Sequence, residues 1–227
     1  MMPSKRVRSI APSATLAIDA KAKQLKNSGK DVVIFGAGEP DFNTPENIKQ
    51  AAINAVKGNI TRYTPVGGIL ELKRAVADKF KRDNGIDYGI SEVLISCGGK
   101  HSLYNIAMAV LEKGDEAIVP VPYWVSYQEM IKLAGAKAVF CKTDERFNLN
   151  ADDVKEKITP KTKMIILNSP NNPTGAVMDQ SEIRKIAQIA VDNKICIVSD
   201  EVYEFFVYGK QQNPSVASLN NEIRELT

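Results

Sequence analysis

The chain of 227 residues is 44% hydrophobic, enough for one substantial α/β core with a small appendage, and its 30 basic and 27 acidic side chains nearly cancel to +3, which argues against nucleic acid or an anionic membrane as partner. No apolar run is long enough to span a bilayer and no signal-peptide core follows Arg8, so a cytoplasmic protein is expected. His101 is the only histidine, which comes close to excluding a Ser-His-Asp triad or a His-rich metal site, and the widely spaced Cys97, Cys141 and Cys196 read as buried reduced thiols.

In chain order, Ser13 to Lys26 has helical composition and Gly29 ends it. Val32-Val33-Ile34-Phe35 reads as a strand running into Gly36-Ala37-Gly38-Glu39-Pro40-Asp41. Strand followed by Gly-x-Gly is the start of a dinucleotide turn, yet the third glycine is missing, Pro40 intrudes and no helical pattern follows, so a dinucleotide-dependent oxidoreductase is a poor fit. Thr44-Pro45-Glu46 predicts a helix start, with Thr44 as cap, Ile48, Ala51, Ala52 and Ala55 as the apolar stripe and Gly58 as the stop. After the irregular stretch Thr61-Arg62-Tyr63-Thr64-Pro65-Val66-Gly67-Gly68, a helix is expected from Ile69 to about Asn84, with Leu72, Ala75, Val76 and Phe80 on one side and Gly85 closing it.

From Val93 onward, strands and helices alternate. Val93-Leu94-Ile95 is strand-like, Ser96-Cys97-Gly98-Gly99-Lys100 is a glycine turn, and Leu103, Ile106, Ala107, Val110 and Leu111 make a helical stripe. Such a turn can offer backbone N–H groups to an anion, or be glycine-rich only because the packing is tight. Strand Ala117 to Val119 ends in Pro120-Val121-Pro122-Tyr123-Trp124, which sets the one tryptophan at a strand's carboxyl end. Tyr127, Met130, Ile131 and Ala134 suggest a helix closed by Gly135, then strand Lys137 to Cys141, then a helix capped by Asn150. Lys163 to Leu167 is a strand that breaks into Asn168-Ser169-Pro170-Asn171-Asn172-Pro173-Thr174-Gly175. Asp179 with Glu182 forms a capping-box pattern before the stripe Ile183, Ile186, Ala187, Ala190, and strand Ile195 to Val198 ends in Ser199-Asp200-Glu201-Val202-Tyr203. Two parallel strands joined by a helix bring the Asn-rich turn and Asp200 to one carboxyl edge of a sheet, where open α/β sheets bind ligands.

The candidates at that edge are the glycine turn with Gly99 and Lys100, an exposed Trp124, Asn172, Asp200 and Tyr203. Each has a plain alternative: Asp200 as a cap or ion pair, Tyr203 as packing, Asn172 as turn builder. Together they meet the needs of a flat phosphorylated ring: donors for its phosphate, an aromatic for its face, a carboxylate for a ring nitrogen, and hydroxyl or amide donors for a ring oxygen.

Ser169-Pro170-Asn171-Asn172-Pro173-Thr174-Gly175 and Ser199-Asp200-Glu201-Val202-Tyr203, with Pro122-Tyr123-Trp124 and Arg62-Tyr63-Thr64-Pro65, resemble the class I pyridoxal-phosphate aminotransferases of fold type I. The resemblance covers almost the whole chain and is nearest to bacterial aspartate aminotransferases. It implies a three-layer α/β domain with a mostly parallel sheet, residues 1–45 forming an N-terminal arm and part of a small domain, and residues 46–227 an incomplete large cofactor-binding domain. It implies pyridoxal 5'-phosphate as cofactor, with Asp200 at the pyridine nitrogen, Tyr203 and Asn172 at the ring oxygen, Trp124 on the ring face, and Gly99 and Lys100 at the phosphate. Tyr63 would reach the phosphate of a neighbouring subunit in a homodimer. Gly38, Trp124, Asn172 and Lys100 would meet the substrate, and Lys100 favours an amino acid with a distal carboxylate, L-aspartate, paired with 2-oxoglutarate as the 2-oxo acid; aromatic amino acids and alanine are the alternatives. The resemblance further implies a cis Asn172-Pro173 bond.

It also implies a Schiff-base lysine and an α-carboxylate arginine, both expected beyond Thr227. Lys210, the only lysine after Tyr203, sits in a loop-like Tyr208-Gly209-Lys210-Gln211 context. Residues 1–227 are therefore expected to be inactive alone, and a non-catalytic fragment is the second reading of the chain as it stands.

Overall fold

Four largely apolar segments, each too short to be read as a core helix, pair into one parallel sheet. The computed structural model describes residues 2–36 and 38–227, apart from the side chain of Ala14; Ala37, in the glycine turn of the N-terminal segment, lies outside the described residues. The helices and strands run α1 Lys5–Arg8, α2 Ala14–Asn27, α3 Glu46–Lys57, α4 Leu70–Lys79, α5 Gly99–Val110, β1 Glu116–Val121, α6 Ser126–Leu133, β2 Lys137–Lys142, α7 Ala151–Lys157, β3 Thr162–Asn168, α8 Gln180–Asn193, β4 Cys196–Asp200 and α9 Asn221–Glu225. The residues divide into two units, one made of the chain up to Ile10 together with Gly67–Thr227, the other of Ala11–Val66.

In the larger unit the strand order is β2-β1-β3-β4, with Ile118 beside Val139 and Ile165, and Ile165 beside Ile197. Successive side chains point to opposite faces, so each strand feeds two cores. Ile118, Ile165, Leu167 and Ile197 pack on one face with Val154 of α7, Ile183, Ile186, Ala187 and Ala190 of α8, and Ile223 of α9. Ala117, Val119, Met164, Ile166 and Val198 pack on the other with Ala107 of α5 and Tyr127, Met130 and Ile131 of α6. The result is the expected three-layer α/β arrangement with helices on both faces.

Two predicted strands are not strands. Among the described residues, Val93 to Ile95 makes one backbone bond to the segment beside it, from Ile95 N–H to the Gly67 carbonyl, and a single bond is not a ladder. The chain passes very close there: a Cβ on Gly68, whose φ is +102°, would lie 2.4 Å from Ile95 Cγ1. In the smaller unit, Val32 to Phe35 is irregular, with Val33 and Phe35 exposed, because a strand needs a partner that apolar composition alone does not supply.

The helices follow the predicted stripes unevenly. All four stripe residues of α8 are buried, whereas Ile48 of α3 and Leu72 of α4 are exposed, and neither helix has a buried residue. The predicted helix to Asn84 continues past α4 as a π-turn over Phe80–Asn84 and ends at Gly85 with φ +70°. Helix α3 starts one residue later than expected, with Pro45 in the cap position and no side-chain cap, so Thr44 does not serve. The Asp179/Glu182 capping box is half formed: Asp179 accepts from the N–H groups of Ser181 and Glu182, but the Glu182 carboxylate turns to the Ala151 N–H at 2.7 Å and to Lys185. The cysteines are all free thiols, but only Cys141 is buried: Cys196 is half-buried and Cys97 is exposed, since the glycine turn that holds it lies on the surface; burial pushes the Cys141 thiol up to about 11.

Candidate functional site

The site grows from where strands stop. β3 ends at Asn168 and β4 at Asp200, register partners at the carboxyl edge of the sheet. Asn168 is buried, and its side chain works as a hub: the amide group donates to the Asp200 carbonyl at 2.9 Å and the Pro170 carbonyl at 3.1 Å, and its oxygen accepts from the Asn172 N–H at 2.8 Å. The Asn-rich turn is thereby fixed to the strand that carries Asp200. Asn171 closes the turn, accepting from Thr174 and, through its carbonyl, from the Gly175 N–H, and the Val121-Pro122, Ser169-Pro170 and Asn172-Pro173 bonds are cis.

Two carboxylates flank Asp200 and Tyr203 and tie the segment down. Glu201 accepts from the Ser199 and Ser215 hydroxyls and the Val216 N–H. Glu204 pairs with Lys79 of α4 and accepts from Asn84 of the π-turn at 3.0 Å. Glu201 and Glu204 thus anchor the segment, while Asp200, Val202 and Tyr203 line the cleft.

The Asp200 carboxylate accepts from the Tyr127 hydroxyl at 2.5 Å and from the Val202 N–H at 3.3 Å. Tyr127 is 2% exposed, and burial first, the Asp200 charge second, hold its phenol far above the usual tyrosine value, so it stays a neutral donor. Its ring meets Trp124 edge-on, with centroids 5.4 Å apart. Trp124, expected to be exposed, is half-buried because Tyr127 packs against it and the Lys100 ammonium lies 5.0 Å from its ring centre.

Gly98 is the cap residue before α5, and its φ of +83° and ψ of 164° turn the chain sharply into the helix. The Gly99 and Lys100 N–H groups belong to the first helical turn, which has no intrahelical acceptors. His101 Nδ1 accepts from the Cys97 N–H at 3.1 Å, so the one histidine braces this turn.

Gly99, Lys100, Trp124, Asn172, Asp200 and Tyr203 line one open cleft of about 320 Å³. The Asn172 side-chain amide and the Tyr203 hydroxyl have no hydrogen-bond partner among the described residues. The structure thus brings together six of the eight residues singled out from sequence. The other two, Gly38 and Tyr63, belong to the Ala11–Val66 unit; Tyr63 is fully exposed, and the Cβ position of Gly38 is open. Lys210 is exposed on a turn. Sequence reasoning missed Tyr127 and Asn168. Tyr127 looked like one more stripe residue of its helix, and Asn168 like the first residue of a turn.

A parallel sheet covered on both faces, with a carboxylate, an indole and a helix N-terminus converging at its carboxyl edge, has the build of a cofactor-binding α/β domain. Among the described residues there is no cluster of three or more His, Cys, Asp or Glu side chains placed to hold a metal ion, and no helix long and apolar enough to cross a membrane.

The sequence model for aminotransferase class I and II matches residues 30–226, and the chain belongs to that family, which is pyridoxal-phosphate-dependent. It is 47% identical to the aspartate aminotransferase of Bacillus sp. (strain YM-2) over 99% of this chain and 58% of that protein. It is 48% identical to a probable aspartate/prephenate aminotransferase of Aquifex aeolicus over 99% of this chain and 57% of that protein. Among solved structures, the Thermus thermophilus aspartate aminotransferase with maleate superposes with a TM-score of 0.93 at 43% identity, covering 96% of this chain and 58% of that one. The alanine aminotransferase of Pyrococcus furiosus superposes with a TM-score of 0.91 at 33% identity, covering 97% and 57%. The chain therefore spans a little over half the length of the relatives it matches.

Proposed function

We propose that this chain is the cofactor-binding portion of a cytoplasmic, homodimeric aminotransferase that moves an amino group between L-aspartate and 2-oxoglutarate. The observation that carries the reading is the Asp200 carboxylate, held at the sheet edge by a buried phenol and facing a cleft that also presents an indole, an amide, a hydroxyl and a helix N-terminus. That donor set fits pyridoxal phosphate: the α5 terminus with Gly99 and Lys100 for the phosphate, Trp124 for the ring face, Asp200 for the pyridine nitrogen, Asn172 and Tyr203 for the ring oxygen. The cofactor, when bound, supplies an electron sink for charge developed at the substrate α-carbon. Asp200 would keep a proton on the ring nitrogen, and the unpaired groups of Asn172 and Tyr203 would donate to the ring oxygen. Trp124 excludes water from the ring face. Lys100 would be the cation that meets a distal substrate carboxylate, and Gly38 the glycine whose backbone lies near a substrate carboxylate. Tyr63 serves the phosphate of the second subunit, and residues 1–45 form the arm and part of a small domain.

Substrate choice follows the named relatives, since aspartate is shared by the Bacillus, Aquifex and Thermus proteins, whereas alanine belongs to a structure at lower identity. The test begins with Trp124, the one tryptophan, as a built-in reporter. Pyridoxal phosphate is expected to quench its fluorescence, and Asp200→Asn to weaken the binding. Borohydride is expected to fix no adduct on Lys100 or Lys210; a specific adduct on either would assign the Schiff-base lysine to these residues and overturn that part of the proposal. For the protein that carries this chain, amino transfer is measured with L-aspartate, L-alanine and L-phenylalanine as donors. A rate with alanine or phenylalanine equal to that with aspartate would overturn the substrate assignment.

A further inference from the structure

One side chain touches both the carboxylate and the aromatic of the cleft. The Tyr127 hydroxyl donates to Asp200 Oδ2 at 2.5 Å, and its ring packs edge-on to Trp124 at 5.4 Å and 87°. Tyr127 itself cannot drift: it is 2% exposed and packed into the sheet-face cluster with Met130, Ile131, Val119 and Ile166. The Asp200 carboxylate, by contrast, has little else to hold it. Its other oxygen accepts a longer bond, 3.3 Å, from the Val202 N–H, and among the described residues no second side chain donates to it. A carboxylate at a strand end can rotate toward water, and a short bond from a buried donor removes that freedom.

We infer that Tyr127 is the positioning residue of this site, setting the orientation of the Asp200 carboxylate toward a bound pyridine nitrogen and fixing the angle between that carboxylate and the Trp124 ring. The inference rests on the cofactor reading above and adds to it a residue that acts only through Asp200 and Trp124. Loss of the hydroxyl frees the carboxylate to turn away from the ring nitrogen, while the phenyl ring still packs on Trp124. The damage is therefore expected at the nitrogen end of the ligand and not in the fold.

The experiment uses the chain as it stands and pyridoxamine phosphate, a ligand that needs no lysine, with two readouts: Trp124 quenching for affinity, and the ¹⁵N chemical shift of the labelled pyridine nitrogen for its protonation. Tyr127→Phe is expected to weaken binding by about tenfold, the scale of one hydrogen bond to a charged group, and to move the shift toward that of unprotonated pyridine. In an Asp200→Ala background the same change is expected to alter affinity by less than about twofold, because the group it acts through is gone. An equal loss in both backgrounds would mark Tyr127 as mere packing and overturn the inference. Tyr127→His, whose ring N–H can donate to the same oxygen, is expected to recover the protonated shift; a His variant with the unprotonated shift would count equally against it. The melting temperature of each variant reports whether it is folded. If Asp200→Ala changes neither readout, the cofactor reading itself fails; if it does and Tyr127→Phe does not, only the positioning role fails.

Discussion

Asn168 shows how much a single buried side chain can carry. Its amide group and oxygen satisfy two carbonyls and one N–H that belong to three different pieces of the site: Asp200 on β4, Pro170 inside the turn and Asn172 at its tip. Truncation to alanine leaves those groups without their partner at a position only 5% exposed. A buried polar group left unpaired costs about 1–3 kcal/mol, so Asn168→Ala is expected to lose roughly 2–4 kcal/mol of stability, since solvent can reach part of the turn. Urea unfolding followed by circular dichroism measures it; a loss under about 1 kcal/mol would show that the turn holds its shape without the hub. The chemistry-bearing residues of the cleft were legible because their types are unusual where they stand: a carboxylate after an apolar run, a lone tryptophan after another. Asn168 and Tyr127 were not, since an asparagine opening a turn and a tyrosine in a stripe are ordinary, and their roles depend on bonds to residues 32 and 73 positions away.

At the scale of elements, α8 was almost fully legible and its N-terminus was not. Ile183, Ile186, Ala187 and Ala190 repeat at helical spacing and all are buried, because β3 and β4 on either side require a helix whose apolar stripe covers the sheet. The local pattern also called for Glu182 to bond back to its own cap residue. Instead the Asp179 N–H is taken by Asn148 at 3.2 Å, and Glu182 caps the neighbouring α7 through the Ala151 N–H. A tertiary donor outcompeted the local one. The bond from Lys185 first, and the bond from the N–H of Ala151, a residue 3% exposed, second, hold the Glu182 carboxyl below the usual glutamate range. A depressed carboxyl stabilises the fold at pH values above its ordinary 4.5, and that contribution is lost as pH falls through the lower folded value. Glu182→Gln is accordingly expected to destabilise the chain at pH 7, by about 1 kcal/mol after allowance for screening of the partly exposed Lys185 pair, and by less near pH 3. Thermal melts of both proteins at the two pH values test the sign. A difference that grows on acidification would refute the assignment of Glu182 as a shared cap.

Over the whole molecule, burial is divided sharply between the two units. Among the described residues every buried side chain belongs to the larger unit, and none from Ala11 to Val66 is buried. The apolar groups of that segment stand in solvent: Phe35 at 92% and Val66 at 99% exposure, with no strand formed at Val32 to Phe35. This is where sequence reading reached its limit. A run of valine, isoleucine and phenylalanine states a wish to be covered but does not name the cover, and the stripe of α3 likewise finds no core within its own unit. Helices such as α2 and α3, 14 and 12 residues long, are marginal in water without tertiary packing. Amide exchange of the chain is therefore expected to be nearly unprotected across 11–66, with half-exchange in seconds, while β1, β3 and β4 stay protected for hours, since their amides open only with the sheet. Mass-resolved hydrogen exchange at neutral pH measures both. Protection of α3 equal to that of β3 would mean that its exposed stripe is covered in solution, and would overturn the description of Ala11–Val66 as a unit without a core of its own.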